Sequence, residues 1–410
     1  MWAFAHSPPT MNPDAVLERK LSHRARIIVC MIVCLLPSLY VLKQFDAQTK
    51  FTRLIDFGPR YLPRALPEIR ALHPAESPAR DGYDGQFYAQ IAVRPLLNGP
   101  DLKRALDNPS YRAHKILLPA IAYLLGLGNP AWVVNIYAVL NLVFWFMLFF
   151  GMVHYLHAET WRDFLCIVVT VLTTGVMLSL ERALTDLPAL TIGFYAAVWT
   201  GALSSCAIGL GLLTRDTAVV FLLRDAWPLP ENRAAFLKLA LRTALLAVLP
   251  LVLWRLYVWH IFGGVSVKNM DVLGMPFAGV WEYLETSWRD FHSTPFKLTP
   301  VHPDGLWEMR LSAVLGGFSM IVQAVSLVAW RRVECPFWRI GIGMVFLMVF
   351  FTAHVYEEYV AMCRVCLSVT LAYNIGLMRQ KGRVFFLYFA AGNAGMLWGL
   401  HDMVAGVLRF

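Results

Sequence analysis

The sequence predicts an all-α protein, a polytopic transmembrane helical bundle with about nine to eleven spanning helices. Of its 410 residues, 58% are hydrophobic and only 15% are charged, whereas a soluble protein carries roughly 25% charged residues. Apolar runs recur along the whole chain. Many of them have about 17 residues or more, enough to cross about 30 Å of hydrocarbon as a helix. This composition excludes an ordinary soluble protein.

The net charge of +9 is explained by membrane topology and does not indicate a nucleic-acid partner. Lys and Arg concentrate in short segments between apolar runs, as is typical of cytoplasmic segments of membrane proteins. These basic segments contain Arg19, Lys20, Arg24 and Arg26; Arg224, Arg233, Lys238 and Arg242; Arg331, Arg332 and Arg339; and Arg379, Lys381 and Arg383.

Basic segments and apolar runs together divide the chain into four parts. Residues 1–25 are predicted to form a cytoplasmic N-terminal tail. Residues 26–262 form a transmembrane module that includes a large external loop at 46–115. A second external loop covers residues 263–309, and residues 310–410 contain the C-terminal spanning helices.

Each apolar run predicts one element. The first span covers residues 27–42. Residues 116–126 are too short to span and predict a helix lying in the outer membrane interface. Further spans are predicted at 131–156, 164–180, 236–262, 311–330, 337–354, 361–378 and 384–409.

Residues 189–213 allow two interpretations. A single span of these 25 residues would place Asp186 and Arg215 on opposite faces of the membrane. A hairpin of two short helices would instead bring both side chains to the outer face. Periodicity does not decide between the two.

The most informative stretch is residues 80–92, Arg-Asp-Gly-Tyr-Asp-Gly-Gln-Phe-Tyr-Ala-Gln-Ile-Ala, which lies in the first external loop. Its carboxylates, Asp81 and Asp84, could take a hydroxyl proton or hold a divalent metal. Guanidinium groups bind phosphate oxygens in a bidentate manner. The outer face therefore predicts a site for phosphate and hydroxyl groups together. Its other charged candidates are Arg112, Lys115, Arg182, Asp186, Arg215, Glu357, Glu358 and Arg364.

Several of these residues also have a purely structural interpretation. Asp84 precedes a glycine, as in ordinary tight turns, and Asp81 could simply pair with Arg80. Asp186 precedes a helix start and resembles a capping residue. Arg364 is harder to explain structurally, because a buried arginine without a partner is costly in a membrane helix.

The order of these motifs resembles the GT-C superfamily of glycosyltransferases, which use polyprenyl-phosphate sugars. Three segments carry the resemblance: residues 83–88 (Tyr-Asp-Gly-Gln-Phe-Tyr), 111–119 (Tyr-Arg-Ala-His-Lys-Ile-Leu-Leu-Pro) and 184–190 (Leu-Thr-Asp-Leu-Pro-Ala-Leu). The chain is most similar to bacterial proteins implicated in forming cell-surface glycopolymers. This resemblance implies a GT-C-like bundle whose large first external loop carries interfacial helices.

The resemblance also implies an activity and a location. The protein would be an inverting glycosyltransferase of the bacterial inner membrane, with its site facing the periplasm. Asp84, alone or with Asp81, would be the essential acid of the first loop. Arg215 and Arg364 would bind the lipid phosphate, and Asp186 would line the same cavity, which favours the hairpin at residues 189–213. The remaining candidates for substrate binding are Tyr88, Arg112, Lys115 and Arg182.

The expected partners are a polyprenyl-phosphate-linked sugar donor, a glycan or lipid acceptor, and membrane lipids, with no nucleic acid. No cofactor is required, although Asp81 or Asp84 could hold Mg²⁺ or Mn²⁺. Two alternatives stay open. A transporter or flippase of a lipid-linked glycan predicts charges in mid-membrane, for which Arg242, Arg255 and Arg364 are candidates. A non-catalytic subunit of surface-polysaccharide assembly predicts that both loop carboxylates are dispensable.

Overall fold

The computed structural model describes residues 17–226, 232–263, 273–293, 306–356 and 359–408. Within these ranges the regular structure is entirely helical, and the only β-type pairing consists of isolated bridges. The predicted all-α class is therefore confirmed.

Helices are numbered here in chain order. The first half of the chain contains α1 (His23–Lys43), α2 (Pro67–Arg70), α3 (Gly85–Val93), α4 (Pro100–Ala105), α5 (Pro109–Ala113), α6 (Leu117–Leu125), α7 (Pro130–Tyr155), α8 (Trp161–Val171), α9 (Thr174–Glu181), α10 (Asp186–Val198) and α11 (Gly201–Thr214). Short 3₁₀ segments occur at Thr52–Ile55, Leu62–Arg64 and Asp216–Asp225.

The second half begins with α12 (Arg233–Thr243) and α13 (Leu249–Phe262), which a π-helical turn at Ala244–Val248 joins into one rod. The helices that follow are α14 (Ala278–Ser293), α15 (Leu306–Trp330), α16 (Pro336–Phe350), α17 (Ala353–Tyr356), α18 (Tyr359–Val365), α19 (Leu367–Leu377), α20 (Gly382–Asn393) and α21 (Trp398–Leu408). A 3₁₀ turn at Ala394–Met396 separates the last two.

Four of the described helices are long and apolar enough to span a membrane: α1, α7, the α12–α13 rod and residues 311–330 of α15. The pair α8 and α9, bent by 49°, makes a fifth if it counts as one span. These helices are consistent with a multi-pass membrane protein. Within the described residues, four to five helices pass this criterion where the sequence predicts nine to eleven spans, because several predicted spans are broken into shorter helices, among them α10, α11, α16 and α19.

The break between α8 and α9 shows how such interruptions are stabilised. The predicted span at residues 164–180 bends at Thr173 and Thr174. The Thr173 hydroxyl donates to the Thr170 carbonyl at 3.2 Å, and the Thr174 hydroxyl donates to the Met396 carbonyl at 3.0 Å. The Thr173 hydroxyl thus satisfies a carbonyl that the break leaves free at the end of α8, and the Thr174 hydroxyl ties the start of α9 to the 3₁₀ turn at Ala394–Met396.

Residues 189–213 belong to a hairpin of two helices, α10 and α11, which pack against each other. Gly201 adopts the left-handed region with φ +65° at the turn. The Ser204 hydroxyl donates to the Ala196 carbonyl at 2.7 Å across it. Asp186 and Arg215 consequently lie at the same end of the hairpin and form an ion pair, which excludes the single-span alternative.

The first loop folds compactly on α3 through two buried glutamines. The side-chain carbonyl of Gln86 accepts from the Gly58 amide at 3.1 Å, and its side-chain amide donates to the Asp81 carbonyl at 2.8 Å. The side chain of Gln90 accepts from the Leu66 amide at 2.9 Å. Because each glutamine satisfies loop backbone that would otherwise be buried unpaired, α3 serves as the organising axis of this loop.

Two glycines permit close backbone contacts between segments that are distant in the chain. A Cβ atom on Gly85 would lie 2.3 Å from the Arg182 carbonyl oxygen, so the start of α3 packs directly on the turn after α9. A Cβ atom on Gly175 would lie 2.5 Å from the Cys363 carbonyl oxygen, so α9 packs equally closely on α18. The first loop and α18 therefore both pack closely on the α9 segment, the loop at its end and α18 at its start.

We predict that Gly85→Ala destabilises the protein by about 1–3 kcal/mol, since the added methyl group meets rigid backbone and forces the two segments apart. Thermal unfolding in detergent measures the effect. Leu124→Ala is the control, because Leu124 is 70% exposed on α6. Equal stability of Gly85→Ala and the parent protein would contradict this contact.

Candidate functional site

Five charged side chains from distant parts of the chain form one connected set of ion pairs, here called the Arg–Asp cluster: Asp84, Arg112, Asp186, Arg215 and Arg364. Arg112 Nη2 lies 2.9 Å from Asp84 Oδ1, and Arg364 Nη2 lies 3.6 Å from Asp84 Oδ2. Arg364 Nε lies 3.9 Å from Asp186 Oδ2, and Arg215 is in direct contact with the other oxygen of Asp186. Arg364 thus links the two carboxylates.

The cluster is largely shielded from solvent. The Asp186 side chain is 2% exposed, and those of Arg112 and Arg364 are each 10% exposed. The Asp84 side chain is 30% exposed. Asp84 is therefore the carboxylate that can still meet a molecule arriving from outside.

Asp186 is held in position by the turn that precedes α10. Ala183, in this turn, adopts φ +46°, an uncommon conformation for a residue with a side chain. The hydroxyl of Tyr137 donates to the Ala183 carbonyl at 2.7 Å, and the amide of Asn141 donates to the Leu184 carbonyl at 2.9 Å. Both donors are fully buried on α7, so α7 fixes the start of α10. The carboxylate then occupies the first turn of a helix, where negative charge is favourable.

Arg112 is anchored by Asp107, a residue that the sequence analysis missed. Arg112 Nε donates to Asp107 Oδ1 at 2.9 Å, and Arg112 Nη2 donates to Asp107 Oδ2 at 2.7 Å. The guanidinium also lies over the Phe87 ring, 4.8 Å from its centroid. This bidentate pairing fixes the arginine on α5 while leaving it in contact with Asp84. No sequence signal identified Asp107, because it belongs to none of the motifs.

Two further binding candidates, Lys115 and Tyr88, lie beside Arg112. The Tyr88 hydroxyl accepts from Arg112 Nη1 at 3.4 Å. The buried Lys115 ammonium lies 3.8 Å from the centroid of the Tyr111 ring and 5.7 Å from that of Tyr88. Burial opposes its charge, but both tyrosines outweigh burial and raise the pKa of Lys115 above its usual value. Lys115 therefore stays cationic.

Arg182 reaches the cluster through an aromatic ring. Its Nη1 donates to Asp56 Oδ2 at 3.0 Å. The Tyr83 ring lies 4.4 Å from the Arg182 guanidinium and 5.2 Å from that of Arg364. Aromatic faces attract cations, so Tyr83 of the first-loop motif contacts both guanidiniums and connects Arg182 to Arg364 of the cluster.

Asp81 differs from Asp84 in its surroundings. Its Oδ1 accepts from Arg60 Nη1 at 2.9 Å, and both side chains are more than half exposed. The suggested pairing with Arg80 is replaced by this one with Arg60. The other suggested acids of the outer face, Glu357 and Glu358, lie outside the described residues.

The charges around Asp84 fix its protonation state. Burial disfavours its ionised form, but the charges of Arg112, Arg364 and Lys115 outweigh burial and hold the pKa of Asp84 well below its usual value. Arg112 responds in the opposite direction: burial disfavours its charge, while Asp84 and Asp107 raise its pKa. Asp84 is therefore a fully ionised carboxylate with weak basicity as long as both arginines remain beside it.

The surroundings of Asp84 do not fit a divalent cation. Within the described ranges there is no group of three or more His, Cys, Asp or Glu side chains with metal-site geometry. The neighbours of the Asp84 carboxylate are cations, Arg112 and Arg364, which would repel a metal ion. Asp81, the other suggested ligand, is paired with Arg60.

The other arginines considered as mid-membrane charges have acidic partners outside the cluster. Arg255 Nη2 lies 2.7 Å from Asp216 Oδ1, with both side chains nearly half exposed. Arg242 Nε donates to the Ser205 hydroxyl at 2.9 Å, and its Nη2 lies 3.8 Å from Asp225 Oδ2. Arg364 alone among these candidates belongs to the cluster.

We predict that Asp186→Asn destabilises the protein strongly, because it leaves the buried guanidinium of Arg215 without its counter-charge. Breaking one side of a buried pair typically costs about 3–5 kcal/mol. The double variant Asp186→Asn/Arg215→Gln should recover part of this loss. Asp81→Asn, which breaks an exposed pair, should cost about 1 kcal/mol or less. If Asp186→Asn and Arg215→Gln have additive effects on the free energy of unfolding in detergent, the ion pair between Asp186 and Arg215 is refuted.

The low pKa of Asp84 predicts a particular pH dependence. Because the pKa of Asp84 is lower in the folded protein than in the unfolded chain, where it is about 3.9, the ionised carboxylate stabilises the fold at pH values above that. This stability is lost as the pH falls toward the pKa of the folded protein. The stability difference between the parent protein and Asp84→Asn should therefore be constant from about pH 5 to 8 and shrink below about pH 4. Thermal unfolding of both proteins across this range measures it. A difference already shrinking between pH 7 and 5 would contradict the assignment.

Comparisons of the chain with protein-family models, with curated proteins and with solved structures found no match. The function of the Arg–Asp cluster therefore has to be inferred from its geometry and chemistry.

Proposed function

We propose that this protein is an integral membrane glycosyltransferase of the GT-C type. It moves a sugar from a polyprenyl-phosphate donor to a cell-surface glycan or lipid acceptor. Its setting is a bacterial inner membrane, with the cluster facing the periplasm. One observation carries the proposal: the buried Arg–Asp cluster, in which Arg364 lies between Asp84 and Asp186.

The first argument concerns phosphate binding. Arg364 Nε and Nη1 are buried and have no hydrogen-bond partner among the described residues, and the same holds for Arg215 Nε. Buried donors left in this state cost free energy, and phosphate oxygens are acceptors that suit guanidinium geometry. A phosphate group between Arg364 and Arg215 would satisfy these donors.

The second argument concerns charge. Four cationic side chains and three carboxylates gather here, which leaves an excess of one positive charge: Arg112, Lys115, Arg215 and Arg364 against Asp84, Asp107 and Asp186. A singly charged phosphate diester neutralises this excess. When the sugar leaves, the phosphate gains a second negative charge, which the same arginines stabilise.

The third argument concerns the lipid chain of the donor. The Trp254 indole on α13 donates to the Ala113 carbonyl at 2.8 Å, which ties α13 to the end of α5 that carries Arg112. Beyond this contact α13 exposes apolar side chains, among them Leu253 and Leu256. A prenyl chain could lie along this face while its phosphate enters the cluster.

In the proposed reaction Asp84 orients the acceptor hydroxyl and takes its proton. The acceptor oxygen forms a bond to the anomeric carbon as the bond from that carbon to the phosphate oxygen breaks. Attack from the side opposite the leaving phosphate inverts the anomeric centre. Arg364 and Arg215 hold the departing polyprenyl phosphate. Arg242 and Arg255 have carboxylate partners outside the cluster, which favours this enzyme over the transporter alternative.

We expect Asp84→Asn to lower sugar transfer by about 10²–10⁴-fold, the usual contribution of a positioned acid–base group. The measurement is transfer from a radiolabelled polyprenyl-phosphate sugar pool in membranes, together with surface-polysaccharide analysis of a complemented deletion strain. Asp81→Asn is the matched control, because it changes a carboxylate three residues away that pairs with Arg60 at the surface. Transfer retained by Asp84→Asn, in protein that folds normally, would remove this mechanism.

A further inference from the structure

We propose that Arg112 and Arg364 keep Asp84 unreactive in the ligand-free protein, and that the phosphate group of an entering ligand releases Asp84 by taking over Arg364. The inference rests on the proposed function, since it assigns Asp84 the role of base in that reaction. The ligand class is a singly charged phosphate diester with apolar substituents. The release makes the order of binding part of the mechanism: donor first, then activation of the acceptor.

The two arginines hold Asp84 unequally. Arg112 lies within hydrogen-bond distance of Asp84, at 2.9 Å, and is itself fixed by two hydrogen bonds to Asp107. Arg364 lies 3.6 Å from Asp84 and 3.9 Å from Asp186, both beyond normal hydrogen-bond distance. Arg364 is therefore attracted by two carboxylates without being tightly bound to either one.

Arg364 is also the group best prepared to accept a new partner. Its side chain is 10% exposed, and two of its nitrogen atoms, Nε and Nη1, lack a hydrogen-bond partner among the described residues. Phosphate oxygens can accept hydrogen bonds from the Arg364 donors that Asp84 and Asp186 leave unused. Because charge-assisted bonds at normal distance are stronger than long ion pairs, the phosphate competes effectively for this guanidinium.

Of the two carboxylates, Asp84 is the one that can be displaced. Asp186 is 2% exposed and remains in contact with Arg215 when Arg364 turns to a ligand. Asp84 is 30% exposed, lies immediately before α3 and makes no capping hydrogen bond to that helix. When Arg364 is occupied by phosphate, Asp84 loses one of its two cationic partners and gains an anionic neighbour. Both changes raise its affinity for a proton, which a base requires.

The first test is chemical labelling of the full-length protein in neutral detergent. Dicyclohexylcarbodiimide reacts with protonated carboxyl groups in apolar surroundings, and digestion followed by mass spectrometry reads Asp84, Asp81 and Asp107 together. Dibutyl phosphate should accelerate labelling of Asp84 by about fivefold or more, since a rise of one unit in pKa raises the protonated fraction about tenfold. Labelling of Asp81, paired with Arg60, should not change.

Tributyl phosphate is the matched control, because it has the same apolar groups without the negative charge and should have no effect. Dimethyl phosphate tests whether a soluble diester is enough or whether apolar substituents are needed; release by either diester supports the proposal. Protection of Asp84 by dibutyl phosphate, or an unchanged rate, would overturn it.

The second test compares affinities. Asp84→Asn removes the competitor and should bind dibutyl phosphate about fivefold more tightly than the parent protein, as a lost charge-assisted contact predicts. Asp107→Asn removes the same charge from a side chain of similar exposure (27% against 30%) that also touches Arg112. It should change affinity by about twofold or less. If both variants bind dibutyl phosphate more tightly by the same factor, the gain reflects only the loss of a negative charge near the site. Competition between Asp84 and phosphate for Arg364 would then be refuted.

Neither test requires sugar transfer, so the two proposals fail separately. Phosphate-dependent labelling of Asp84 without any detectable transfer would support the release of Asp84 by phosphate and remove the proposed enzyme activity, and with it the role of Asp84 as a base. Transfer that depends on Asp84, with labelling unaffected by phosphate, would leave the enzyme and remove the release step.

Discussion

The position of Arg364 between two carboxylates is the interaction on which the rest of the site depends. A guanidinium so deeply buried in an apolar bundle is stable only if negative charges accompany it. Asp84 comes from the first loop, Asp186 from the start of α10, and Arg364 from α18. Because each charge would be costly alone, the ion pairs couple the docking of the loop to the packing of α10 and α18, which lie roughly 100 and 280 residues further along the chain.

Backbone contacts make this convergence sterically accessible. Gly85 and Gly175 have no side chain to separate the first loop from the turn after α9, or α9 from α18. Hydrogen bonds from Tyr137 and Asn141 then fix the turn that leads into Asp186. The site therefore depends on short and broken helices. Straight spans would have carried their ends, and the charges on them, away from one another.

In the proposed mechanism, the arginines of the cluster bind an anion, and the Asp84 carboxylate competes with that anion for Arg364. Arg112 is held by Asp107 and is a stable partner for Asp84, whereas two nitrogen atoms of Arg364 have no hydrogen-bond partner among the described residues. The same positive charge that would hold a lipid phosphate also suppresses the basicity of Asp84. The proposed phosphate binding and the base strength of Asp84 thus oppose each other in the ligand-free protein, which gives a physical reason for the proposed order of binding.

The sequence by itself determined the helical class and an apolar character consistent with a multi-pass membrane protein, because both follow from composition and run length, which do not depend on long-range contacts. It also pointed to Asp84, Asp186, Arg215 and Arg364, whose residue types are unusual beside apolar runs. Tertiary structure decided which charges meet. It separated Asp81, paired with Arg60, from Asp84, added Asp107, and made a hairpin of residues 189–213. Ion pairing acts between groups that are distant in the chain, and one-dimensional periodicity holds no information about such distances.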